Sequence, residues 1–363
     1  MRKFALFVLV SVLCLVASLS AVSADDGDGL AWVCPAGLAG KTLRMLSWST
    51  YIAEDTIPNF EAACDVRVEY YEMGSYDEMV ASVDQGAGAY DIAMAIDYVV
   101  TEMTSKNLLR PLNRDLIPNF SNLDPAFVGL PYDAGNTYAI PYVWGTVGIG
   151  YDANVVSQPL TSWADFFAYA GRVAWLDDAR AMLGVMLKLN GYDPNTSDEA
   201  ALNAAVDAIL ESTANEVFQI APDNGQDLLL RGEVDAVVEY GGDILQLEEA
   251  CACADYVFVL PAEGMNYYVD NMVIPFNAPE PELAHAFIDY ILEAQVGADL
   301  VNAIRYGSPN AAAMPLIDPE MRDNPLVYPS ADYMARSWVT EYKGAAEQFY
   351  AEAWNRVNIA LTK

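Results

Sequence analysis

The chain has 363 residues, 54% of them hydrophobic, with 51 acidic side chains against 18 basic and a formal net charge of −33. A surface this acidic repels phosphate, which excludes nucleic acid and anionic membrane as partners. The charge exceeds what one small cationic ligand needs, so most of it serves solubility.

Met1-Arg2-Lys3, an apolar run over 4–16 and small residues ending at Ala24 read as a secretory signal cleaved near Ala24. The run is too short to cross a bilayer. An acidic tail, 25–40, follows. The mature chain is expected to be soluble, exported and long enough for about two domains. Cys34, Cys64, Cys251 and Cys253 remain in it. Four cysteines in an exported chain point to disulfides, with three connectivities possible; Cys34–Cys64 with a small Cys251–Cys253 ring is the preferred one. A Cys-x-Cys metal site is the weaker alternative, because one histidine and no second cysteine pair are available.

From Lys41 the pattern alternates. Residues 43–46 form a strand, and Asp55 or Thr56 caps a helix with Pro58 in its first turn and Ile57 and Phe60 on one face. Residues 66–70 alternate as a second strand. Ser75 and Glu78 make a capping box ahead of Met79, Val80 and Val83. Residues 91–95 give a third strand. This βαβαβ order predicts a parallel sheet whose ligands sit beyond the carboxyl ends of the strands. Those ends carry Trp48-Ser49-Thr50-Tyr51 and Asp97-Tyr98, aromatic and hydrogen-bonding residues in both cases.

Residues 107–142 read as loop. Gly145, Gly148 and Gly150 lack dinucleotide-loop spacing, and no cofactor or metal is expected. A second unit opens with a strand at 172–176 and a helix that Asp178 is placed to cap. Helices follow at 199–210 and 227–231, then a strand at 235–239 ending in Tyr240-Gly-Gly-Asp243. Asp243 either joins Tyr240 in a site or caps the next helix. The stretch 266–275 reads as a strand carrying Tyr268 and Asp270. A ring beside a carboxylate suits an organic cation leaving water; the alternative is a surface strand with alternating polar positions. Residues 281–292 form an amphipathic helix on which His285 reads as exposed or at the boundary. Tyr306 lies in a turn-rich loop, and a final helix covers about 340–359, with Phe349, Trp354 and Val357 free to pack.

Nine short motifs in order then resemble the bacterial polyamine-binding receptors of ABC importers, the spermidine/putrescine type. They are Trp48-x-x-Tyr51, Ala89-Tyr-Asp-Ile92, Asn119-Phe-Ser-Asn-Leu-Asp-Pro125, Ile140-Pro-Tyr-Val-Trp-Gly145, Thr161-Ser-Trp-Ala-Asp165, Leu176-Asp-Asp-Ala-Arg180, Gly232-Glu-Val234, Tyr268-x-Asp270 and Ser308-Pro-Asn310. The resemblance implies an α/β fold of periplasmic binding protein type II: lobe 1 at 41–145 plus 269–313, lobe 2 at 146–268 plus 314–363, and a ligand cleft between. The chain would cross between lobes at 144–147, at 268–269 and near Ala313. It implies a sandwich of Trp48, Tyr51, Tyr98, Tyr240, Tyr268 and Tyr306 around the polyamine, and carboxylates at Asp178, Asp243 and Asp270 on its ammonium groups. Tyr240 and Tyr268 stand where spermidine receptors have tryptophan. Ser49, Thr50 and Asp97 complete the expected ligand-binding set. Thr50 and Ala181 replace acids of known members and Ile96 replaces a serine, with Asp97 or Glu239 as candidate substitutes. The implied protein is a periplasmic monomer that hands a linear polyamine to an inner-membrane permease. The first alternative keeps the fold but binds another small cationic or amino compound, which the changes at Thr50, Ala181 and Ile96 favour; an exported enzyme is the distant one, since no Gly-x-Ser-x-Gly or His-Glu-x-x-His is present.

Overall fold

The computed structural model describes residues 32–361 apart from 87, 223 and 251–254, with 248–250 as backbone. The expected signal at 1–24, the first part of the acidic tail and the Cys251–Cys253 ring lie outside the described residues. The Cys34–Cys64 disulfide is present. Beside it, Trp32 packs on Phe60 and Tyr290 and donates its indole N–H to Asp289, clipping the arm to the domain.

The first elements are β1 (Thr42–Ser47), α1 (Thr56–Cys64), β2 (Arg67–Glu72), α2 (Tyr76–Gln85), β3 (Ile92–Ile96) and α3 (Asp97–Ser105). β1 pairs in parallel with both β2 and β3, as the alternation predicts. The buried face of α1 is Thr56, Phe60 and Cys64, one residue round from the expected Ile57–Phe60 face. Ser75 caps α2 by accepting from Glu78 N, while the Glu78 carboxylate goes to Gly74 N instead of closing the box on Ser75.

A loop of short 3-10 turns leads to β4 (Ala139–Asp152), a strand of 14 residues. Then come α4 (Trp163–Ala168), β5 (Arg172–Leu176), α5 (Ala179–Leu189), α6 (Glu199–Ser212), β6 (Glu216–Ala221), α7 (Gly225–Leu230), β7 (Ala236–Tyr240), α8 (Gly241–Ala250) and β8 (Tyr256–Val259). The chain continues through β9 (Tyr267–Val273), α9 (Pro281–Ile291), α10 (Ala294–Ile304), the single turns α11 (Pro319–Arg322) and α12 (Ala331–Met334), and α13 (Glu347–Leu361).

The strands run in the order β2-β1-β3-β9-β4-β7-β5-β6, with β8 also on β4. β9, late in the sequence, lies antiparallel between β3 and β4. The first half of β4 pairs with β9; its second half, from Val147 on, pairs with β7 and β8. One strand therefore joins the two parts of the sheet. Its register shifts between Pro141 and Val143, as expected where proline cannot donate to the ladder.

Three further expectations change. The final helix begins at Glu347, behind a 3-10 turn at Gly344–Ala346, and not near residue 340. His285 is buried, its Nε2 accepting from Asn113 N and its Nδ1 bonded to Pro281 O, because the 113–122 segment covers the side of α9 that the helical pattern leaves for solvent. In α13, Tyr350 is buried with Trp354 and Val357, while Phe349 is half-buried.

Candidate functional site

The ends of β1 and β7, the strand β9, the start of α2 and one returning loop converge on a small box. β1 stops at Ser47 and the next residues turn Trp48, Thr50 and Tyr51 inward. Within β9, Tyr268 and Asp270 are two apart and share a face. β7 ends at Tyr240 and hands over to α8, placing Asp243 in its first turn. Gly307 pairs with Trp144 of β4 through two backbone hydrogen bonds, which brings Tyr306 over the sheet. Close approach requires two glycines: a Cβ on Gly242 would lie 2.2 Å from the Tyr306 ring, and one on Gly145 would lie 2.6 Å from the Tyr268 hydroxyl.

Two buried carboxylates define the chemistry. Asp270 accepts from the Tyr51 hydroxyl at 2.5 Å and the Tyr76 hydroxyl at 2.8 Å. Asp243 accepts from Thr50 Oγ1 at 2.8 Å and the Tyr306 hydroxyl at 3.0 Å. Burial pushes each carboxyl up to about 6, and the hydroxyl donors hold back part of that rise. Among the described residues no lysine, arginine or histidine lines the box; its walls are aromatic rings, Thr50 and these two acids. The rings touch edge to face, with centroids 4.9 Å apart for Trp48–Tyr76, 5.1 Å for Tyr51–Tyr306 and 5.4 Å for Tyr240–Tyr268. The enclosed space is about 10 Å³. Aromatic rings and carboxylate oxygens around one small volume are chemically suited to a cation.

Trp48, Tyr76 and Tyr240 also wall a second, larger cavity of about 460 Å³. Tyr98 and Asp178 lie there, not in the box. Asp178 caps α5, one oxygen accepting from Arg180 N and Ala181 N at 2.9 Å, while its other oxygen stands 3.5 Å from the Tyr240 hydroxyl. Ser49 and Asp97 line neither space. The Asp97 carboxylate accepts from Tyr98 N and from Val269 N, so it holds the β9 backbone. Glu239 faces away from Tyr240 along β7, against Gly225, and accepts from Tyr240 N. Tyr76 is the box residue that sequence reasoning missed. Its signal was present: it stands three and four residues before Met79 and Val80, on the buried face of α2.

With that geometry in hand, comparison with known proteins is direct. The family model for bacterial extracellular solute-binding proteins matches residues 56–329. A spermidine/putrescine-binding periplasmic protein of Haemophilus influenzae is 30% identical, the match covering 99% of this chain and 100% of that one. Its Escherichia coli counterpart is 29% identical over 94% of this chain and 95% of its own length. Among solved structures, a putative spermidine/putrescine ABC transporter protein from Listeria monocytogenes superposes with a TM-score of 0.80 at 30% identity, covering 88% of this chain and 99% of that one. The spermidine/putrescine substrate-binding protein of Streptococcus pneumoniae gives 0.74 at 27%, covering 89% and 100%. The architecture is α/β, of the periplasmic binding protein type II class. The chain belongs to the bacterial extracellular solute-binding proteins.

Proposed function

We propose that this chain is a periplasmic receptor that closes on a linear polyamine and presents it, as a monomer, to an ABC importer permease in the inner membrane. One observation carries the reading: Asp243 and Asp270 are buried, each held by two hydroxyls, with aromatic walls and, among the described residues, no basic side chain lining the box. Buried carboxylates without a counter-charge are costly, and a protonated amine removes that cost where a neutral sugar cannot. The names of the matched relatives support the same ligand class. Catalysis has little to work with, since His285 is locked between Asn113 and Pro281 on α9.

The ligand lies between two lobes, 41–145 with 269–313 and 146–268 with 314–363. β4 and β9 act as the hinge, and contacts to both lobes stabilise the closed state. Asp243 and Asp270 hold one ammonium, and Asp178 holds a second. Calorimetric titration with putrescine, spermidine and spermine tests this. Micromolar or tighter binding that disappears in Asp270→Asn is the expected result. Silence with all three, while another cationic solute binds, would sink the reading.

A further inference from the structure

The chain has one histidine, it lies away from the box, and its bonds admit one protonation state. His285, on α9, is 4% exposed. Its Nε2 accepts from Asn113 N at 2.9 Å, so the ring proton is on Nδ1, which donates to the Pro281 carbonyl at 2.5 Å. A neutral imidazole offers one donor and one acceptor, and both are used. An imidazolium offers two donors. Its Nε2–H would point at the Asn113 N–H, and a buried donor without an acceptor is costly.

Asn113 opens the segment that His285 holds. Further along, Asn119 N donates to the Asp289 carboxylate at 2.7 Å. The Asn119 and Asn122 side-chain amides donate to the carbonyls of Asp289 and Leu292 at 3.0 and 2.9 Å. The segment then reaches the loop that carries Tyr306, with Asp124 N donating to Pro309 O and Ala312 N to Asn122 O. It is a strap from α9 to the loop over the site, and its first anchor is one that a single proton turns from acceptor to donor.

Burial lowers the pKa of this imidazole from 6.5; the Pro281 carbonyl opposes the fall, Arg110 adds to it and Glu282 opposes it. On the strap, Asp115 follows Arg114, whose guanidinium stacks on Phe120. One turn along α9, Asp289 has an N–H donor on each oxygen, from Asn119 N and the Trp32 indole.

We propose that His285 is an acid-sensitive clasp: a proton taken up at Nε2 breaks the bond from Asn113 N and frees the 113–118 end of the strap, while the anchors at Asn119 and Asn122 hold the rest. The clasped ring titrates below 6.5 and the freed ring near it, so the clasp is at full strength above that pH and weakens as pH falls. The opening constant rises by up to about tenfold per pH unit.

Hydrogen exchange of the purified chain read by NMR, as protection factors corrected for the intrinsic rate at each pH, tests this in the wild type and in His285→Gln. The glutamine oxygen stands in for Nε2 as an acceptor that does not titrate. In the wild type, protection of the Asn113 amide is expected to fall about threefold or more from about pH 7 to pH 5. The fall is expected to be smaller than that in His285→Gln, and the β3 amides keep their protection in both. A single histidine makes the ring's own titration unambiguous, and its midpoint is expected below 6.5. A midpoint at or above that value overturns the inference without any variant. So does a wild-type fall of less than about threefold, a fall at least that large in His285→Gln, or an equal fall in β3, which would make the opening global.

Discussion

Asp270 meets two hydroxyl donors and, among the described residues, no basic side chain, so its ionisation decides when the box attracts an amine. Asp270 and Asp243 both have carboxyls raised from 3.8 to about 6. Between about pH 4 and 6 the folded chain holds protons that the unfolded chain has released. The stability these groups contribute is therefore full below about pH 4 and is lost as pH rises through 6. Binding runs the other way. A polyamine stays protonated throughout and needs both carboxylates, so affinity is full above about pH 7 and falls as pH drops through 6. At pH 5 the loss is up to roughly a hundredfold, about tenfold for each group. Titrations from pH 5 to 8 check this, and a flat profile would exclude both acids from the contact. Tyr51→Phe removes one donor from Asp270. The expected cost is about 1–2 kcal/mol of affinity at neutral pH, with the midpoint of the pH profile moved upward. At this scale the sequence had singled out most of the residues that the fold gathers into one box, Trp48, Thr50, Tyr51, Tyr240, Asp243, Tyr268, Asp270 and Tyr306. Tyr76 was not among them, since the capping box at Ser75 accounted for its neighbourhood. Asp97 was misleading: an acid at a strand end next to a tyrosine looks like a ligand, but its partners are backbone N–H groups of Tyr98 and of Val269, 172 residues away.

β4 and β9 hold the box open by what they lack as much as by what they carry. Gly145 allows Tyr268 and Tyr306 to lie against β4; a methyl there meets Tyr268 at 2.6 Å and Tyr306 at 2.9 Å. With about 10 Å³ in the box, the displaced rings have nowhere else to go. Gly145→Ala is expected to cost about 1–3 kcal/mol of ligand affinity, tenfold or more, by overpacking. The check is titration beside a melting curve, and wild-type affinity would show that the rings yield without closing the box. At the edge of the sheet, the disulfide closes a loop with a sequence separation of 30. Its reduction, or Cys34→Ser with Cys64→Ser, should cost about 3.6 kcal/mol and lower the melting temperature by about 5 °C. The first βαβαβ run could be read in sequence because its periods are local. The place of β9 between β3 and β4 could not be read from periodicity, since antiparallel insertion depends on partners far along the chain. β6 shows the same limit: it alternates around an exposed Phe218, yet only its pairing beside β5 makes it a strand.

For the whole molecule the net charge of −33 is the largest electrostatic fact, and it is spread far beyond the box. Most of it serves solubility, but it also surrounds an approaching polycation with a field that salt screens within about 10 Å at 0.1 M. The box is different, because its acids are buried and their contacts with a bound ammonium are screened little. Salt should therefore act on the two halves of the binding reaction unequally. The association rate for spermine is expected to fall about tenfold or more as ionic strength rises from about 0.02 to 0.5 M, with little change in the dissociation rate. Asp270→Asn should show the complementary pattern, a faster dissociation with nearly the same salt slope of association, since one buried charge changes the outer field little. Stopped-flow tyrosine and tryptophan fluorescence can follow both rates, because Trp48 and Tyr240 wall the site. An association rate indifferent to salt would assign the surface acids to solubility alone and leave capture of the ligand to the box.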